Sequence, residues 1–241
     1  MSALYTATQV QLCFSKTLKS RPGSRSREVS SQEVPLLLDG PVGLLEARHL
    51  INPQALGLAL ICHPNPAQGG SMLNKVVSTL QRTARDAGYS TLRFNYRGVG
   101  ASVGSHDLGE GEVDDAEAAV RWLCSQQIGL PLVLMGFSFG GYVAASLAVR
   151  LAEAGLSLRQ LFLVAPAVAR LPASPAFAAN MHLTLIQPEK DEIISAGQVY
   201  AWADCLGRDH ELLKVAECGH FFHGKLVELK ELVLPRLHRL K

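Results

Sequence analysis

From residue 56 onward, short apolar runs alternate with longer segments of helical spacing, and this alternation limits the fold more than any other feature. Residues 56–62 form a continuous apolar run, the pattern of a strand buried on both faces. A helix is expected over 71–87, closed by Gly88, then a strand over 90–94. Residues 113–125 repeat apolar side chains at helical spacing (Val113, Ala116, Val120, Leu123), with acidic residues in the first turn, where the helix dipole favours them. A strand over 131–136 runs straight into a helix over 139–154. Strands over 161–165 and 183–187, a helix over 196–206, an edge strand over 211–215 and a C-terminal helix over 221–240 complete the series. Upstream, 34–38 and 42–50 read as two strands about the turn Asp39-Gly40-Pro41. The expected class is α/β: a mostly parallel sheet with helices on both faces and an antiparallel N-terminal hairpin. Such sheets bind ligands outside the carboxyl ends of their strands.

At 241 residues the chain suits one such domain, placed at 33–241. A chain of this size buries about 70% of its unfolded surface, so its stability requires neither disulfide nor structural metal. Residues 1–32 differ in character. Lys16, Lys19, Arg21, Arg25 and Arg27 lie among serines, the composition of a poorly ordered extension. Over the whole chain 23 basic and 21 acidic side chains nearly cancel, which argues against nucleic acid or a membrane surface as partner. Cys13, Cys62, Cys124, Cys205 and Cys218 are widely spaced with no C-x-x-C pair, so reduced thiols are expected rather than a disulfide framework or zinc site. No apolar run reaches membrane-spanning length and the N-terminus lacks a signal-peptide succession; the expected location is the cytoplasm.

The sharpest chemical signal is Gly136-Phe137-Ser138-Phe139-Gly140-Gly141, set between an expected strand and helix. In that context Ser138 occupies a tight turn that lifts its hydroxyl above the sheet, and the flanking glycines remove side chains that would collide. A serine hydroxyl is a weak nucleophile and needs a positioned base. His220, after Glu217-Cys218-Gly219 at the end of the last expected strand, is preferred. His223, expected inside the following helix, is its rival. The base needs a carboxylate to fix its tautomer. Asp191 is preferred at the loop apex of Pro188-Glu189-Lys190-Asp191-Glu192-Ile193-Ile194 for its shorter side chain; Glu189 and Glu192 are its rivals, Glu192 being equally readable as facing solvent. The order Ser138, Asp191, His220 is the nucleophile–acid–base order of the α/β-hydrolase arrangement. An oxyanion would take the N–H of Phe139 and that of Asn65, since Pro64 and Pro66 have none. His63 is expected to be structural. The glycines of 94–102 do not open a helix, so a phosphate cradle is not expected there and Arg97 is expected to pair locally.

With these residues in place the chain resembles the α/β-hydrolase superfamily, and more narrowly its small lidless bacterial members. The resemblance rests on His63-Pro64-Asn65-Pro66 with Gly69-Gly70-Ser71-Met72-Leu73-Asn74-Lys75, on residues 94–102 and 136–141, and on Gly219-His220-Phe221-Phe222-His223-Gly224. The His-Pro-Asn-Pro loop is similar to the oxyanion loop of related dehalogenases. Many members carry a second histidine where Asn65 stands. The resemblance covers about 33–240 and implies hydrolysis of an ester or related acyl bond in a small-molecule substrate. Peptide cleavage, dienelactone-type hydrolysis and a non-catalytic binding role are the alternatives. No cofactor or metal is expected. The segment between the strands ending near Ala165 and beginning near Leu183 is too short for a lid. The crevice is therefore expected to be open and lined by parts of 166–177.

Overall fold

The computed structural model describes residues 32–107 and 109–239, so the basic extension expected over 1–32 lies almost wholly outside the described residues, as does Leu240 at the end of the expected last helix. Eight strands form one sheet: β1 Val34–Gly40, β2 Gly43–Leu50, β3 Leu58–Cys62, β4 Ser90–Phe94, β5 Leu132–Phe137, β6 Leu158–Val164, β7 His182–Pro188 and β8 Glu211–Val215. Their order is β1-β2-β4-β3-β5-β6-β7-β8. β1 and β2 are an antiparallel hairpin, β2 joins β4 antiparallel, and every other pairing is parallel. The expected class is the observed one.

The parallel centre is apolar on both faces because both faces are covered. Every residue of β3, β4 and β5 is buried. Successive side chains point to opposite faces. Leu58, Leu60 and Leu134 join one core with Val113, Val120, Val143 and Leu147, from helices α2 (Glu110–Gln126) and α3 (Phe139–Glu153). Ala59, Ile61, Val133 and Met135 join the other with Val77, Leu80, Leu229 and Val233, from α1 (Lys75–Asp86) and α5 (Leu226–His238). Helix α4 (Ala196–Asp204) adds Val199 and Trp202 to the first core.

Helix boundaries depart from the apolar pattern where side chains cap the backbone. α1 begins at Lys75 rather than 71, because Asn74 Oδ1 accepts the Val76 N–H at 2.8 Å. α2 begins at Glu110 rather than 113, with Asp107 Oδ1 accepting the Gly111 N–H at 2.9 Å. α5 begins at Leu226 rather than 221, since Phe222 (φ 54°) and Gly224 (φ 72°) are left-handed and interrupt any earlier helix. His223 therefore stands in a turn, not inside the helix.

Between β6 and β7 there is only a 3₁₀ turn, Val168–Arg170, and no lid. The segment does not line one crevice along its length. Residue 167 touches the carboxyl end of β5, with the Ala167 N–H donating to Ser138 O at 3.1 Å. Pro175, Ala176 and Phe177 instead run to the amino ends of β6, β7 and β8, where with Thr184, Arg208 and Glu211 they border a cavity of about 740 Å³.

A buried ion pair fastens the loop after β4. The Arg97 backbone N–H donates to Asp115 Oδ2 at 2.8 Å and its guanidinium to Asp115 Oδ1 at 2.8 Å, with the Asp115 side chain fully buried on α2. Removing one partner of such a pair strands the other charge. Asp115→Ala should lower the unfolding free energy by about 3–5 kcal/mol, read as a lower urea midpoint at unchanged m-value. An unchanged midpoint would refute the staple.

Candidate active site

Ser138 is the single residue between the end of β5 and the start of α3, with φ 56° and ψ −118°. A non-glycine residue in this region costs on the order of 1–3 kcal/mol and persists only where the surroundings impose it. Here they do. The Ser138 N–H donates to Val164 O at 2.9 Å, and its carbonyl accepts from Gly141 N–H at 2.9 Å. A Cβ on Gly136 would lie 2.1 Å from Gly140 O, and one on Gly140 would lie 2.3 Å from Cys62 O and 2.6 Å from His63 O. The first turn of α3 thus presses on the end of β3, and only glycine fits at both points. The Ser138 hydroxyl does not cap the helix.

His220 and Asp191 meet from separate loops. Nδ1 of His220 lies 2.8 Å from Asp191 Oδ2, and both side chains are essentially buried. Because that carboxylate can only accept, Nδ1 carries the proton and Nε2 keeps its lone pair. Burial alone would push the Asp191 carboxyl up. Hydrogen bonds from His220 and from the N–H groups of Ile194 (2.7 Å) and Ile193 (2.9 Å) outweigh it and hold the carboxyl below the usual range. The His220 ring packs on Phe137, with centroids 5.0 Å apart, which sets it against the residue preceding Ser138. No hydrogen bond joins Ser138 Oγ to His220 Nε2; such bonds are often long before substrate binds.

The rival residues fall elsewhere. Glu189 is exposed. His223 is exposed, with its ring 6.2 Å from that of Phe221. Glu192 does not simply face solvent: its carboxylate accepts the backbone N–H of His220 at 3.0 Å. The sequence reading also missed Gln187, a fully buried side chain whose Nε2 donates to Asp191 Oδ2 at 3.2 Å. An amide beside Leu183, Leu185 and Ile186 in a buried strand is the signal.

On the other side of Ser138, the loop after β3 carries Asn65. Its Oδ1 accepts the Ala67 N–H at 2.9 Å and its carbonyl the N–H groups of Gln68 and Gly70. Among the described residues nothing accepts the backbone N–H of Asn65 or of Phe139. Since His63 O lies against Gly140, this loop begins beside the first turn of α3. No cluster of three or more His, Cys, Asp or Glu side chains among the described residues is placed to hold a metal ion.

His63 is fully buried. Its Nδ1 donates to Pro64 O at 2.7 Å, and its Nε2 accepts the Tyr96 N–H at 3.1 Å. Burial pulls its pKa from an ordinary 6.5 to about 3. Below the ordinary value the unfolded chain takes up a proton that the folded one refuses, so stability declines as pH falls through that window. Between about pH 6.5 and about pH 4 the wild type should lose about 3 kcal/mol more than His63→Gln, measured by urea unfolding. Parallel profiles for the two proteins would contradict this.

Comparison with known proteins bears on the fold and the family. Residues 69–194 match a family model described as serine aminopeptidase, S33. An uncharacterized protein of Rickettsia prowazekii is 32% identical over 209 residues, covering 82% of this chain and 86% of that one. A solved α/β serine hydrolase homologue from Coxiella burnetii is 34% identical with a TM-score of 0.77, covering 88% of this chain and all of that one. A serine hydrolase without a lid from Xanthomonas campestris is 36% identical with a TM-score of 0.78, covering 87% and 94%. With the strained serine turn, the lidless sheet and these relatives in agreement, the chain belongs to the α/β serine hydrolase family typified by the S33 serine aminopeptidase model.

Proposed function

We propose that the chain hydrolyses an ester or related acyl bond of a small-molecule substrate, with Ser138 as nucleophile, His220 as base and Asp191 as its orienting acid. The observation that carries this reading is the buried 2.8 Å pair of Asp191 with His220, its ring lying against the residue before Ser138. A histidine held at Nδ1 by an ionised carboxylate offers Nε2 to a neighbouring hydroxyl. His220 Nε2 takes the Ser138 proton as Oγ attacks the carbonyl carbon. The oxyanion is held by the N–H groups of Phe139 and Asn65, each contributing about 3–4 kcal/mol to the transition state. The imidazolium, steadied by Asp191, then protonates the leaving group, and water activated by His220 releases the acid and restores Ser138.

The rim favours an apolar group on the substrate. Phe221, with its ring 5.1 Å from that of His220, and Ile193, bonded through its N–H to Asp191, are both exposed. With no lid above, the crevice is open and gives little basis for selecting acyl chain length. Cleavage of a peptide bond is the second reading, favoured by the description of the matching family model. We also assign the chain to the cytoplasm. Cys62, Cys205 and Cys218 are free, and no described helix is long and apolar enough to cross a membrane.

A fluorophosphonate probe should label Ser138, because labelling requires an activated hydroxyl. Ser138→Ala should abolish labelling and lower kcat on p-nitrophenyl esters by about 10³-fold or more. An unchanged rate in that variant would end the proposal. Asp191→Asn should lower kcat by on the order of 10⁴-fold, since the amide favours the wrong tautomer of His220. Parallel assays on p-nitrophenyl esters and aminoacyl amides separate the two readings by which class turns over.

A further inference from the structure

Asp191 and Glu192 are consecutive carboxylates, and both reach His220. Asp191 meets the ring at Nδ1, 2.8 Å away, while Glu192 Oε2 accepts the main-chain N–H of the same residue at 3.0 Å. The His220 loop has few other holds. Lys190 N–H donates to Cys218 O at 3.0 Å, and Phe222 N–H donates to Gly219 O at 3.0 Å. Glu217 and Phe222 on either side of His220 are left-handed, so the loop turns sharply at both ends. Between them the carboxylate of Glu192 lies close over Gly219: a Cβ there would be 2.8 Å from Glu192 Oε2. The backbone of Gly219 lies outside the positive-φ region, so a side chain added there would meet the Glu192 carboxylate and displace it without straining the backbone.

We propose that Glu192 is a positioning residue, which fixes the height of the His220 backbone so that a ring tethered by Asp191 presents Nε2 to Ser138. The proposal rests on the hydrolase reading above and goes beyond it. The two acids act at different points of one residue. Asp191 sets the rotation and tautomer of the ring, and Glu192 sets where the ring's own backbone stands. A carboxylate accepting an N–H makes a stronger bond than a neutral acceptor, but its role here needs only an acceptor oxygen at that point. Shifting a catalytic base by a fraction of an ångström slows the step it serves without weakening substrate binding.

Glu192 is itself exposed, so its substitution leaves the core intact. Glu192→Ala should lower kcat on a p-nitrophenyl ester by on the order of 10-fold with KM unchanged. Glu192→Gln, whose amide oxygen can still accept, should recover most of that loss. The amide proton of His220 should exchange faster in Glu192→Ala than in the wild type. Gly219→Ala should cost activity in the wild type by displacing the Glu192 carboxylate, yet cost nothing further in the Glu192→Ala background, a coupling that independent sites do not show. Equal kcat in Glu192→Ala and wild type would overturn the proposal, as would equal losses in the Ala and Gln variants or additive effects of the two substitutions. Failure of the hydrolase reading looks different: the wild type itself would escape fluorophosphonate labelling while its His220 amide stayed protected.

Discussion

The close passage of the first turn of α3 over the end of β3 is the constraint on which the rest of the site depends. Gly140 sits where a single added carbon would collide with the carbonyls of Cys62 and His63, and Gly136 where one would collide with Gly140 itself. Two backbones in such contact leave the residue between strand and helix one way to turn, and Ser138 takes the positive-φ conformation that results. The same contact seats the loop bearing Asn65 next to that turn. One packing event therefore bends the chain at Ser138 and sets beside it a loop whose Asn65 N–H, like that of Phe139, meets no acceptor among the described residues. The parallel sheet supplies the rigidity: β3 and β5 are neighbours, buried along their whole length, and their register holds Cys62 opposite Gly136.

Around this elbow the buried polar side chains divide by what their hydrogen-bonding atoms meet. His63 is shielded and kept neutral, with both ring nitrogens bonded to backbone, so it serves as a spacer between two loops. Arg97 and Asp115 are charged, paired and buried, and they hold the loop after β4 to α2. The pair of His220 with Asp191 differs in leaving one ring nitrogen without a partner among the described residues. An open nitrogen is what the proposed role of His220 as base requires.

Much of this is legible in the sequence. The alternation of buried strands with amphipathic helices carries the class and most of the sheet, because periodicity reports burial directly. Ser138 is readable because its chemistry depends on local spacing, with glycines two residues either side. The pairing of Asp191 with His220 can be anticipated only by chain order and by loop position after strands. What escapes is of a different kind. The starts of α1 and α5 are misplaced because capping by Asn74 and the left-handed Phe222 override apolar spacing. The tether from Glu192 to a backbone N–H leaves no trace in composition, since any exposed glutamate reads the same. Which parts of 166–177 lie near the crevice is not legible either: the later part runs to the opposite end of the sheet.

The bare connection between β6 and β7 has a kinetic side. A hinged cover must open and shut in every cycle, and in enzymes so built that motion often limits the rate. Among the described residues the connection between β6 and β7 places no such cover over Ser138. Turnover on the serine proposed above would not wait on a cover at that connection, and its pace would be set by the chemistry and by product release.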